Sequence, residues 1–226
     1  MDPVARQFLE QLDAAEGELP ASVTAGLMMC GSDAVPGLVE RLAPDGPVPL
    51  QVHAAQVLGK IRDPDALVPL VHAFARGPVS VEVTRALGGA IRAYGPAFHE
   101  VALGAAATEA YPPAGRLALV GMVMMTGGDD PVIDELIATL TPKAPDVGLV
   151  LMRERPRVRW MEVIRAHRDL FRAAEPELTA AVSLQVLPLL EGARAERMAQ
   201  VHAKLAEQQD YAAEVLKRLA KNTDDA

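Results

Sequence analysis

The sequence predicts an all-α chain, an α-solenoid of about five helix pairs followed by a C-terminal helical extension. Three observations predict it. The stretch QVHAAQVLGKIRDPDALVPLVHAF (51–74) reads as two short apolar helices around an Asp63-Pro64 turn, and a shift of 33 residues lays it onto 84–107. LALVGMVMMTGGDDPVIDELIATL (117–140) has the same grammar, and AVPGLVERL (34–42) faces ALVPLVHAF (66–74). A period in this range marks stacked units that cannot bury their apolar faces alone. Second, half of the chain is apolar but only 4% is aromatic. A core of Ala, Val, Leu and Met suits close-packed helices better than sheets, which favour β-branched and aromatic residues. Third, Gly and Pro punctuate the apolar runs as helix ends do.

Taken in order, the pattern predicts helices at 4–16 and 20–30, then pairs at 34–43/49–62, 65–76/80–94, 97–109/114–126 and 131–140/145–154. Within 52–61 the apolar residues Val52, Ala55, Val57, Leu58 and Ile61 fall near helical spacing. Asp63, Asp129 and Ser32 stand where N-cap side chains satisfy free backbone N–H groups. Ala54, Ala55, Gly59, Ala86, Gly88 and Gly89 are small enough to let neighbouring helices approach closely. The segment 153–174 is basic and amphipathic, with Val158, Met161, Ile164, Leu170 and Phe171 near helical spacing. The next, 175–192, begins acidic, as a helix start prefers, and Pro188 should kink or end it. Residues 193–222 contain neither Gly nor Pro. The expected organisation is 1–150 as the repeat stack and 151–226 as an extension packed on the same domain.

The phrase AAQVLGKIRDPDALVPLV resembles the bacterial HEAT-like repeat, also called the PBS-lyase HEAT-like repeat: an Ala-rich helix ending in Leu-Gly-x-Ile, an Asp-Pro turn, then Ala-x-x-x-Leu. The match is good over 51–74 and fair over 80–105; the family's usual Gly after Ile is Arg62 here. The resemblance implies paired helices in HEAT-like units and says little about activity.

Charge narrows the functional classes. The net charge is −8, against general binding of nucleic acid or anionic membrane by the whole surface. Residues 1–150 carry −9 and residues 151–226 carry +1. Within 153–172 lie seven arginines against Glu154, Glu162 and Asp169. Arg suits bidentate pairing with carboxylate or phosphate. These arginines either bridge to acids of the same molecule, or solvate a helix face, or meet a partner. The partner-binding residues expected are Arg157, Arg159, Trp160, Arg165 and Arg168; Trp160 anchors a partner if exposed and, as the single Trp, equally fits a core role.

No catalytic, cofactor or metal site is expected. The five histidines (His53, His72, His99, His167 and His202) form no HxxxH or HExxH pattern. His99-Glu100 is a single His-Glu pair, short of the several used by HEAT-like hydroxylases. Asp129-Asp130 offers paired carboxylates, but a helix cap followed by an acid explains them with no further assumption. Met122, Met124 and Met125, with Met28 and Met29, read as core rather than as an adaptable groove. Cys30 is the single cysteine, which fits a reducing compartment. The runs 117–128 and 178–190 fall short of the roughly 18 residues of a membrane span, and the start lacks the basic and apolar stretches of a secretory signal.

The expected function is a cytoplasmic, non-enzymatic protein–protein interaction module or scaffold whose partner has an acidic surface. The alternative is nucleic-acid binding through 153–172, and the third reading is a HEAT-like enzyme such as a lyase. In the last segment Met198, Leu205, Ala212 and Leu219, with Val201, Gln208 and Val215, follow a heptad. It reads as a cap for the last repeat, with self-association through 193–222 as its rival.

Overall fold

The computed structural model describes residues 2–186 except 16, 78, 79 and 158, together with 200, 203 and 204. The heptad segment and Pro188 therefore lie outside the described residues, among which there is no strand.

The helices are α1 (Pro3–Asp13), α2 (Ala21–Cys30), α3 (Val35–Glu40), α4 (Val48–Ile61), α5 (Pro64–Ala75), α6 (Val81–Arg92), α7 (Phe98–Ala107), α8 (Pro113–Met125), α9 (Pro131–Leu140), α10 (Pro145–Glu154), α11 (Trp160–Ala166), α12 (Arg168–Phe171) and α13 (Glu175–Val186). The chain divides into two compact units, Met1–Gly148 and Leu149–Ala226. None of the described helices is long and apolar enough to cross a membrane.

Local chemistry sets the helix starts. Proline occupies the first turn of α1, α3, α4, α5, α8 and α9, where its missing N–H costs nothing. Asp63 caps α5, accepting from the Asp65 amide at 2.9 Å, and Ser80 caps α6 through the Val83 amide. Two expected caps are corrected. Asp130, not Asp129, caps α9, accepting from the Val132 amide at 2.9 Å, because Pro131 opens the helix one residue later. Ser32 lies inside a 3-10 turn (Gly31–Ala34) and donates instead to the Asp63 carboxylate.

Arg62 ends α4 in the left-handed region, with φ of 56°. It stands where the resembled repeat has glycine, and a Cβ is disfavoured there by roughly 1–2 kcal/mol. Replacing Arg62 by Gly is expected to stabilise the fold by about 0.5–1 kcal/mol, once the greater freedom of glycine in the unfolded chain is subtracted. Chemical denaturation checks it, and a lower midpoint would show that the Arg62 side chain makes contacts worth more than the strain.

Packing in the first unit joins helices in successive pairs and, from α1 to α7, each helix to the next but one. α4 lies along α6 and touches α2, α5 touches α3 and α7, and α7 touches α9; the successive pairs α1/α2, α3/α4, α5/α6, α7/α8 and α8/α9 also pack. Leu27, Leu38, Leu58, Leu70, Leu87, Ile91 and Leu117 are fully buried between them. Small residues set two of these distances. A Cβ on Gly59 would stand 2.7 Å from the Ala90 Cα, so α4 and α6 meet nearly backbone to backbone. A Cβ on Gly115 would stand 2.1 Å from the Ala75 carbonyl oxygen, which fixes α8 against the end of α5. Gly89 departs from expectation: it is exposed, and a Cβ there would meet nothing.

Hydrogen bonds also join successive turns. Ser32 Oγ donates to Asp63, and Tyr94 Oη donates to the Asp63 backbone carbonyl at 2.9 Å. The Ser32 bond, then the Asp65 amide, hold the Asp63 carboxyl below its usual range. Burial, with the nearby Asp63 charge, pushes the Tyr94 phenol up to about 12.

In the second unit α11 packs on α12 and α13. The basic stretch is not one continuous amphipathic helix. It breaks at His167, whose φ of −121° and ψ of 38° interrupt the turn between α11 and α12. Trp160, Ile164, Phe171 and Leu178 are buried.

Candidate functional site

The expected arginine site resolves into unequal parts. Trp160 is fully buried, and its Nε1 donates to the Arg155 carbonyl at 2.8 Å, so its place is in the core and it offers no anchor to a partner. The physical reason is ordinary: the largest apolar side chain of the segment falls on the inward face with Ile164. Arg159 is exposed and its guanidinium lies 5.7 Å from the Trp160 ring centroid, a cation–π contact that covers the indole. Arg157 is half-buried and donates to the Pro156 carbonyl. Arg168 is exposed and 3.5 Å from Glu175, a surface pair of small worth. Arg165 is exposed and, among the described residues, has no ion pair; Arg172, outside the expected set, is the same. Of the arginines in this segment, Arg165 and Arg172 are therefore available to a partner, with Arg153, Arg159 and Arg168 partly engaged.

Two motifs far apart in sequence meet in one cavity. His99, Glu100, Asp129 and Asp130 line a space of about 420 Å³ beside Val123 and Gly128. His99 Nε2 lies 2.8 Å from Thr126 Oγ1, and that hydroxyl also reaches the Met122 and Val123 carbonyls at 3.0 Å. The direction of the His99–Thr126 bond follows the imidazole tautomer. Asp130 is committed to the α9 cap. Among the described residues no three His, Cys, Asp or Glu side chains converge to hold a metal ion.

A larger opening lies between α4 and α6. It has a volume of about 700 Å³ and is lined by Val52, Gln56 and Lys60 from α4, by Glu82, Arg85 and Gly89 from α6, and by small residues between them. Sequence reasoning did not find it, because the two helices come together only through the Gly59–Ala90 approach. A second residue it missed is Arg116, which is buried and donates from Nε to the Ala106 carbonyl at 2.6 Å. It also donates to the Ala107 carbonyl, closing the C-terminus of α7. Its signal was available, since it is the one charge in an otherwise apolar helix.

The methionines are mixed. Met122 is core, as expected, but Met29 and Met125, in the last turns of α2 and α8, are 89% and 76% exposed, and Met28 is exposed too. Cys30 is half-buried, and its thiol is pushed up by burial and by the carboxylates of Asp2 and Asp33. A thiol held protonated is a poor nucleophile.

Compared with protein-family models, curated proteins and solved structures, the chain matches none of them.

Proposed function

We propose that the protein is a non-enzymatic protein–protein interaction module, with HEAT-like helix pairs stacked as an α-solenoid in its first unit. The observation that supports this reading is the pairing of α1 with α2, α3 with α4, α5 with α6 and α7 with α8, together with next-but-one packing from α1 through α7 and of α7 on α9. Such a pattern suits two rows of helices, and a row presents an extended surface that needs no catalytic group. A cytoplasmic setting suits a chain with one cysteine.

The second unit supplies the partner's first contact in this reading. Arg165 and Arg172 are cations on a chain of net charge −8, so the partner they suit has an acidic surface. Exchanging both for Glu is expected to weaken partner capture about tenfold or more, with the melting temperature unchanged. Capture by the tagged protein, compared by quantitative mass spectrometry with the exchanged form, reads it. Undiminished capture by a folded variant would remove these arginines from the interface. Tight binding of random duplex DNA by the unmodified protein, with a steep salt slope, would favour the nucleic-acid reading.

A further inference from the structure

Charge is sorted by helix in the first unit. The helices α3, α5, α7 and α9 carry the acids Glu40, Asp65, Glu100, Asp134 and Glu135 and no Lys or Arg. The helices α2, α4, α6 and α8 carry Lys60, Arg85, Arg92 and the buried Arg116, with Glu82 as their one acid. The helices in each set are those that contact one another at next-but-one spacing, except that α8 packs on α5 and α7. A unit of net charge −9 over residues 1–150 thus turns a locally basic strip outward at α4 and α6.

The open groove lies in that strip. Lys60 and Arg85 stand on its two walls, and Arg92 follows Arg85 two turns later on the same side of α6. All three are exposed and none is within ion-pair distance of an acid among the described residues, although the Glu82 carboxyl, held below its usual range first by the Ser80 hydroxyl, also feels Arg85. Lys60 and Arg92 sit in last helical turns, where a cation complements the helix dipole. That explanation does not reach Arg85, which lies in the middle of α6. Between the cations the lining is small: Gly59, Ala86, Gly89, Ala90 and Ala93. A polypeptide backbone can approach such a floor closely while its side chains reach the rims.

We propose that the α4–α6 groove is a docking site for an acidic peptide segment of a partner protein, whose carboxylates pair with Lys60 and Arg85. The proposal rests on the interaction-module reading only in requiring a protein partner; it uses none of the arginines of the second unit. Charge complementarity selects carboxylates. The groove lining contains no aromatic ring on which a base stacks, and three cations beside Glu82 are few for a phosphate backbone.

The test uses the full chain and a fluorescein-labelled peptide rich in Glu and Ala, 14 residues long to match α4. Fluorescence anisotropy is expected to show binding that fades between about 0.1 M and 1 M salt, as the Debye length falls from roughly 10 to 3 Å. A matched Lys peptide is expected not to bind. Two variants probe the site by different means. Lys60→Glu with Arg85→Glu reverses the rims and is expected to weaken the acidic peptide about tenfold or more. Gly89→Leu fills the groove at a position where an added Cβ meets no neighbour in the fold, and is expected to block the peptide while leaving the helical circular dichroism intact and the melting temperature no lower than that of the unmodified protein. Amide shifts on titration are expected at Gly59, Gly89 and Ala93. Equal binding to wild type and both folded variants would overturn the proposal, as would no binding of the acidic peptide at low salt. Duplex DNA competing for the groove more tightly than the peptide would overturn it in favour of nucleic acid. Loss of binding on exchange of Arg165 and Arg172 alone would place the docking in the second unit, refuting the groove and sparing the interaction module.

Discussion

Replacing Gly115 by Ala is expected to lower the melting temperature by roughly 2–12 °C, the largest effect of any single methyl group added to the first unit. The new Cβ would stand 2.1 Å from the Ala75 carbonyl oxygen and 2.9 Å from its carbonyl carbon. Neither atom is the end of a flexible side chain; both belong to the backbone of the preceding hairpin, so α8 must move away from α5. Overpacking that forces backbone shifts costs typically 1–3 kcal/mol and sometimes more, and in a chain of this size each kcal/mol shifts melting by about 2–4 °C. Gly104→Ala is the matched control. Gly104 lies within α7, is exposed, and a Cβ there meets nothing. That exchange is expected to raise stability by up to about 1 kcal/mol, since glycine is the poorer helix former. Thermal melts of the two variants followed by circular dichroism decide it; equal melting temperatures would mean that α8 does not sit against α5 at this distance.

Removing the side chain of Trp160 is expected to have a comparable effect on the second unit. Trp160 is fully buried, and large aromatic to Ala exchanges in a core cost about 3–5 kcal/mol. The exchange also strands the Arg155 carbonyl, which accepts from the indole N–H at 2.8 Å. Trp160→Phe, which keeps most of the bulk but not the donor, is expected to fall between. As the single Trp, this residue also reports its own surroundings. Its emission in the native protein is expected to be blue-shifted and weakly quenched by acrylamide; emission typical of an indole in water would contradict the burial.

The helices of the first unit were legible because their ends are written in local chemistry. Pro64, Pro113 and Pro131 each open a helix within one residue of the expected start, and Asp63 caps as expected. Arg62 was legible as an oddity, and its backbone angle supplies the reason. What escaped was whatever depends on a contact between elements. Whether an apolar residue near a helix end faces inward cannot be read from a run of identical letters, so Met122 and Met125 looked alike and lie on opposite sides of the surface. His167 breaks a pattern whose apolar spacing alone suggested continuity. Of the arginine site, the sequence located the charge but not which guanidiniums were already occupied by Trp160, Glu175 or a carbonyl. The α4–α6 groove was hidden for the same reason, although the sorting of charge between alternate helices could have been read once their limits were known.

The bonds that Ser32 and Tyr94 make to Asp63 act as a ruler laid along the chain. Ser32 and Tyr94 each stand 31 residues from Asp63. A single residue inserted in α5 or α6 would turn everything after it by about 100° around the helix axis and advance it by about 1.5 Å. Tyr94 would then miss the carbonyl, and Gly59 would no longer face Ala90. Drift in the length of these helices is thus constrained on both counts. The segment between α7 and α8 lies outside any helix and is exposed at Glu109 and Ala110, so a residue added there can loop out without turning either helix or breaking the Arg116 bonds that span it. Changes in length belong there, where the chain can lengthen without the stack losing its register.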